Sequence, residues 1–174
     1  MKKDNYSIEY MIKNMWTSSE EEFLEKLGSF DIFERDKCGN DIVHILLKTK
    51  EIKMDLKNIM EKLLKMGLDI NTKQKTGPFQ RSYLHLALCV DNKSIFDYLL
   101  KKGADVNSTD AHGNNILSSA IFKYKSNSDN YGYYINVLLE NGADITHKNN
   151  YGVSPKELAN MIANSDVKKY FIVH

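Results

Sequence analysis

Apolar residues in this chain come in short blocks at helical spacing, divided by polar turns that carry glycine. Ile95, Phe96, Leu99 and Leu100 make one stripe at i, i+3, i+4 spacing, and Ile135, Leu138 and Leu139 make another. Apolar spacing supports helices near 42–48, 83–90, 116–124 and 155–163, each followed by a partner near 56–66, 93–102, 134–141 and 166–171. Gly67, Gly103 and Gly142 come close behind a leucine pair, where a helix can end in a left-handed residue that glycine adopts cheaply. Ser154, Pro155 and Glu157 combine a cap, a proline at the first helical position and a glutamate reaching back. Nearer the N-terminus, 7–16 and 19–27 predict another helix pair, with Ser19 and Glu22 as a capping box. Met11, Met15, Trp16, Phe23 and Leu27 are expected to seal the helices that follow, while Glu20, Glu21 and Glu22 stay in water.

The blocks repeat. LLKKGADVNSTDAHGN at 99–114 and LLENGADITHKNNYGV at 138–153 nearly duplicate each other, with a fainter copy, LLKMGLDINTKQKTG, at 63–77. Gly67 to Gly103 spans 36 residues and Gly103 to Gly142 spans 39. Each turn glycine is followed by a related phrase: Asp41 to His44 after Gly39, Ser82 to Ala87 after Gly77, Asn115 to Ser118 after Gly113, and Ser154-Pro155 after Gly152. These phrases stand where the ankyrin family has T-P-L-H-x-A, and over roughly residues 36–171 the chain resembles an ankyrin-repeat protein. Only Ser82 to Ala87 is close to the full helix signature. Leu46 and Leu47 replace the small pair of the first repeat, and Ser118 replaces the histidine of the third.

The resemblance implies an all-α solenoid of about five helix-turn-helix units in one domain over 1–174. An N-terminal cap pair at 1–35 precedes repeats at 36–73, 74–109 and 110–148 and a C-terminal cap repeat at 149–174. Lys156, Glu157, Lys168 and Lys169 put charge on the last repeat, as solubility requires. The family period is about 33 residues, so each interval holds an insertion. They are placed at 49–55, at 78–81 within a turn, and at 125–133. The first and third are expected to project from one edge as loops. The third carries Tyr131 and Tyr133 among small polar residues, a composition found in binding loops.

Composition narrows the function. At 174 residues, 42% hydrophobic and 27% charged, the chain can bury a core without disulfides or metal, and its net charge of +1 leaves no footprint for nucleic acid. No apolar run is long enough to cross a membrane, and no secretory h-region follows Met1-Lys2-Lys3. Cys38 and Cys89, far apart, fit reduced thiols, and the chain reads as a cytoplasmic monomer. His44 and His85 occupy the family's T-P-L-H position, where the resemblance implies a bond to the neighbouring turn backbone. His112 and His147 fall in turns, His174 is the last residue, and no pair has zinc-site spacing. Asp69, Asp105 and Asp144 recur with the period, as turn-forming residues would. No nucleophile elbow or phosphate-cradling loop is present. No cofactor, metal or catalytic residue is expected.

A non-enzymatic protein-binding module is therefore expected. The family's concave face, carried onto this chain, comprises the finger residues Lys37, Asn40, Phe79, Gln80, Arg81, His112, Asn114, Tyr151 and Val153 with the outward helix positions Lys48, Cys89 and Lys123, and Tyr131 and Tyr133 join them from the third insertion. In texture the chain resembles short single-domain bacterial ankyrin proteins. Among those, neutralising a toxin and acting on a host are recurring roles. An immunity-type inhibitor is the alternative reading, followed by a host-directed effector or a viral mimic of the inhibitor-kappa-B group.

Overall fold

The computed structural model describes residues 6–161 and 165–172. Nine α-helices lie among them: α1 Ile8–Thr17, α2 Glu20–Leu27, α3 Ile42–Lys48, α4 Leu56–Lys65, α5 Tyr83–Cys89, α6 Lys93–Lys101, α7 Ile116–Tyr124, α8 Ser128–Glu140 and α9 Pro155–Met161. A 3-10 helix follows at Ser165–Phe171, and among the described residues there is no strand beyond isolated bridges. The all-α expectation holds. The expected helix at 155–163 is described to Met161, and residue 163, the first five residues and His174 lie outside the described residues.

Helix starts are written into the chain. Each of α1 to α8 begins after a Ser, Asp or Asn whose side-chain oxygen accepts an amide of the first turn. Such a cap contributes about 1 kcal/mol to its helix. The capping box at Ser19 and Glu22 is present, and Ser154 and Glu157 make the same reciprocal pair ahead of α9.

The helices form two rows. α1, α3, α5, α7 and α9 pack in succession along one row, and α2, α4 and α6 along the other, so each unit buries its apolar flank against its neighbours. One core runs through the stack, from Ile8 and Phe23 through Leu63, Phe96 and Leu99 to Ile135, Leu138 and Val167. Trp16 departs from expectation. Its side chain is 59% exposed while Met11, Met15, Phe23 and Leu27 are buried, because it lies on the outer face of α1.

Two insertions differ from the expected loops. The segment at 49–55 does not project, because Met54 is buried and the Glu20 carboxylate accepts the Asp55 amide at 2.7 Å, tying it to the N-terminal pair. The segment at 125–133 is largely helical, since α8 already starts at Ser128. Tyr131 is buried there and Tyr133 half-buried, so neither sits on an exposed loop. Asn130 donates to Asp91, Tyr134 Oη donates to Asp91 at 2.9 Å and Tyr133 Oη to Asp97 at 2.6 Å. These bonds satisfy polar groups only when the first turns of α8 lie against α6 and the turn before it.

Candidate functional site

The turns between units are fingers built by one repeated device. Asp36, Asp110 and Asn149 each turn a side-chain oxygen back onto the amides two and four residues on: Cys38 and Asn40, His112 and Asn114, Tyr151 and Val153. Each closes with a backbone bond from the first residue's amide to the last residue's carbonyl, at 2.8, 2.9 and 3.0 Å. In the second finger the inserted residues stretch this closure from Gln74 to Arg81, whose carbonyl accepts the Gln74 amide at 3.1 Å. Arg81 therefore stands at the root of that finger, and Phe79 and Gln80 are among its exposed residues. Asp69, Asp105 and Asp144 behave as expected, each accepting the amide two residues on.

Successive fingers carry an aromatic rail. The Phe79 ring meets His112 edge-on at 5.7 Å, and His112 stacks on Tyr151 at 6.3 Å. Backbone bonds lock the rail, from the Ala111 amide to the Phe79 carbonyl at 2.7 Å and from the Asn150 amide to the His112 carbonyl at 3.0 Å. Opposite, α5, α7 and α9 present Leu86, Cys89, Val90, Phe122, Lys123, Leu158 and Met161. Between rail and helices runs a groove of about 890 Å³. Five of the nine most exposed large apolar residues among those described, Phe79, Val90, Phe122, Tyr151 and Met161, line it. Apolar exposure that converges on one concavity marks a contact surface, whereas scattered exposure does not.

The polar lining is sparse and placed. The Arg81 guanidinium lies 4.1 Å over the Phe79 ring, and Lys123 lies 5.4 Å from the Tyr131 ring. Asp110 is buried, its carboxylate already taken by the His112 and Asn114 amides. Burial pushes the Cys89 thiol up, although Arg81 and Lys123 nearby oppose this. Such a thiol is a poor nucleophile. Among the described residues no cluster of His, Cys, Asp and Glu could hold a metal ion.

Of the residues anticipated from sequence, Phe79, Arg81, Cys89, Asn114, Lys123, Tyr151 and Val153 line the groove, and His112 joins them through the rail. Lys37, Lys48 and Gln80 are exposed but lie outside it. Asn40 is 5% exposed and corrects the expectation: its side-chain oxygen accepts from Lys48 Nζ at 2.7 Å and Gln74 Nε2 at 2.6 Å, cross-linking two fingers. Tyr131 and Tyr133 belong to the packing of α8. Missed were Val90, Phe122 and Met161, apolar residues at or near helix C-terminal ends that carry no local mark of exposure.

The two signature histidines differ. Each ring nitrogen of His44 faces an oxygen, Asp41 Oδ1 at 2.7 Å and the Arg81 carbonyl at 3.1 Å, as the resemblance implies. Asp41 also accepts from Tyr83 Oη and Arg35. Burial pushes the Asp41 carboxyl up, but its bonds with His44 and Tyr83 together outweigh this and hold it below the ordinary range. His85 departs from expectation: it is fully buried, and its Nε2, beside the Asn114 backbone, lacks a well-formed hydrogen bond. Burial pushes its pKa down to about 3.

Among the described residues no helix is long and apolar enough to cross a membrane. No curated protein matches the chain by sequence. The family model described as ankyrin repeats (3 copies) matches residues 39–149, well over half of the chain. Proteins built from such repeats generally act by binding other proteins. With two rows of stacked helices, repeated Asx-closed fingers and this match, the chain belongs to the ankyrin-repeat family.

Proposed function

We propose that this chain is a non-catalytic, monomeric protein-binding module of the cytoplasm that grips another protein in the groove between the aromatic rail and α5, α7 and α9. The observation that carries this reading is the convergence of Phe79, Val90, Phe122, Tyr151 and Met161, all exposed, on one concavity. Exposed aromatic and methionine side chains beside an arginine have the composition of an interface centre. Preorganisation supports it further. Backbone bonds lock the fingers and the helices rest on a continuous core, so a partner need not spend its binding energy on ordering them.

The test is affinity isolation from the native cell with the wild-type chain, Phe122→Asp and Tyr151→Ala. Phe122 and Tyr151 are 68% and 73% exposed, so neither change should disturb folding. Proteins retained by the wild type should be depleted by about tenfold or more with either variant. Retention unchanged by both would refute the groove as the binding face.

A further inference from the structure

Resting on the reading above, we propose that the segment held in the groove is acidic as well as apolar: an internal stretch of a partner protein that places Asp or Glu side chains beside two or more large apolar ones. The groove's charges carry this. Arg81 and Lys123 line it, and neither is among the ion pairs found in the described residues, which join Arg35 and His44 to Asp41 and Lys102 to Glu61. The one carboxylate in the described lining, Asp110, is buried and spent on finger amides. Other surface carboxylates are bonded outside the lining, Glu61 on α4 to Tyr98, Asp97 on α6 to Tyr133, and Glu157 at the start of α9 to the Ser154 cap. Two cations against one carboxylate leave a net positive charge in this apolar groove, in a chain whose own net charge is only +1.

Arg81 is held for this role. Its backbone is fixed by the Gln74 amide and the His44 ring, and its guanidinium lies over the Phe79 ring at 4.1 Å. Its Nε is buried without a partner, so the fork of terminal nitrogens is what it offers a ligand. A planar fork held over an aromatic ring matches a carboxylate bidentately at little entropic cost. Apolar anchors between Phe122 and Tyr151 would seat the segment, and Arg81 and Lys123 would set its register and its on-rate.

The experiment selects binders from a random linear peptide library on the immobilised full chain, then measures them against Phe122→Asp, Lys123→Glu and the double variant Arg81→Glu/Lys123→Glu, each shown folded by circular dichroism. Expected are sequences rich in Asp or Glu next to Leu, Ile, Phe or Trp. They should weaken by about tenfold or more with Phe122→Asp and with the double variant, and by a smaller factor with Lys123→Glu alone, which guards against misfolding at Arg81. Raising the salt concentration should weaken them too, and selection on the double variant should enrich Lys and Arg instead. Peptides lost with Phe122→Asp but indifferent to both charge reversals would overturn this inference and leave the protein-binding groove standing. Binders indifferent to Phe122→Asp would overturn both readings. An empty selection, or oligothymidylate binding at Phe122 in place of peptide, would overturn the acidic segment.

Discussion

Gly103 ends α6 at φ 87° with no atom within 4 Å of where a Cβ would sit, so its role is conformational alone. The Cβ of a valine there meets no atom, but the residue must hold a left-handed backbone, and Gly103→Val should lower stability by about 1–3 kcal/mol. Gly39 is more demanding. At φ 74° a Cβ would stand 2.5 Å from the Thr76 amide nitrogen, in the backbone of the next finger. Gly39→Ala should therefore destabilise more than Gly103→Ala, because it adds a clash that only a backbone shift relieves. Phe79→Ala should change stability by no more than about 0.5 kcal/mol, since the ring is 41% exposed and its ring contacts are with Arg81 and His112 on the fingers. Thermal melts of the four variants check the order. A melt of Phe79→Ala below that of Gly103→Val would contradict the assignment of finger and helix end. Both glycines were legible in the sequence as turn residues. That one of them lies against a neighbouring backbone was not, because that contact joins residues far apart in the chain.

At the scale of elements, α8 shows how tertiary contacts override local preference. Its first turns read Ser-Asp-Asn-Tyr-Gly-Tyr, poor helix formers whose composition suggests a loop. Gly132 leaves room for the Tyr170 hydroxyl, which would stand 2.4 Å from a Cβ there, so the C-terminal 3-10 helix packs on α8 without displacing that ring. Asn130 and Tyr134 meet Asp91 before α6, and Tyr131 packs beside Tyr134. Tyr134→Phe leaves Asp91 without one donor and should cost about 1 kcal/mol. Tyr133→Phe should cost less, because its bond to Asp97 is more exposed to water. Equilibrium denaturation of the two variants measures the difference, and equal losses would argue against the seating of α8 on α6. Where their ends are described, the remaining helices agreed with expectation to within a residue or two, because caps and apolar stripes coincide there.

At the scale of the whole molecule, burial dictates a response to acid. His85 is neutral in the folded chain down to about pH 3, where its pKa lies, whereas an exposed histidine in the unfolded chain takes a proton near pH 6.5. Between those values the unfolded state binds the extra proton, so stability falls as pH falls, by about 2 kcal/mol from this one ring at pH 5. Asp41 acts lower on the scale: its carboxyl is held below its ordinary value, so its contribution is present above about pH 4 and is lost as pH drops further. Melts at pH 7 and pH 5 should show the loss, and His85→Gln, though less stable at pH 7, should lose less between the two. The same stacking that buries these groups makes the groove. From its own periodicity the sequence determined the repeat, the caps, the helices at 42–48 and 116–124, the turn aspartates Asp69, Asp105 and Asp144 and seven of the seventeen residues that line the groove, because each follows from spacing along a single unit. Only the tertiary structure decided that Asn40 and Tyr131 turn inward, that Val90, Phe122 and Met161 turn outward, and that Phe79, His112 and Tyr151 form one rail. Those outcomes depend on how one unit is set against the next, and an apolar residue at a helix end has the same local signal whether a neighbour covers it or leaves it facing a groove.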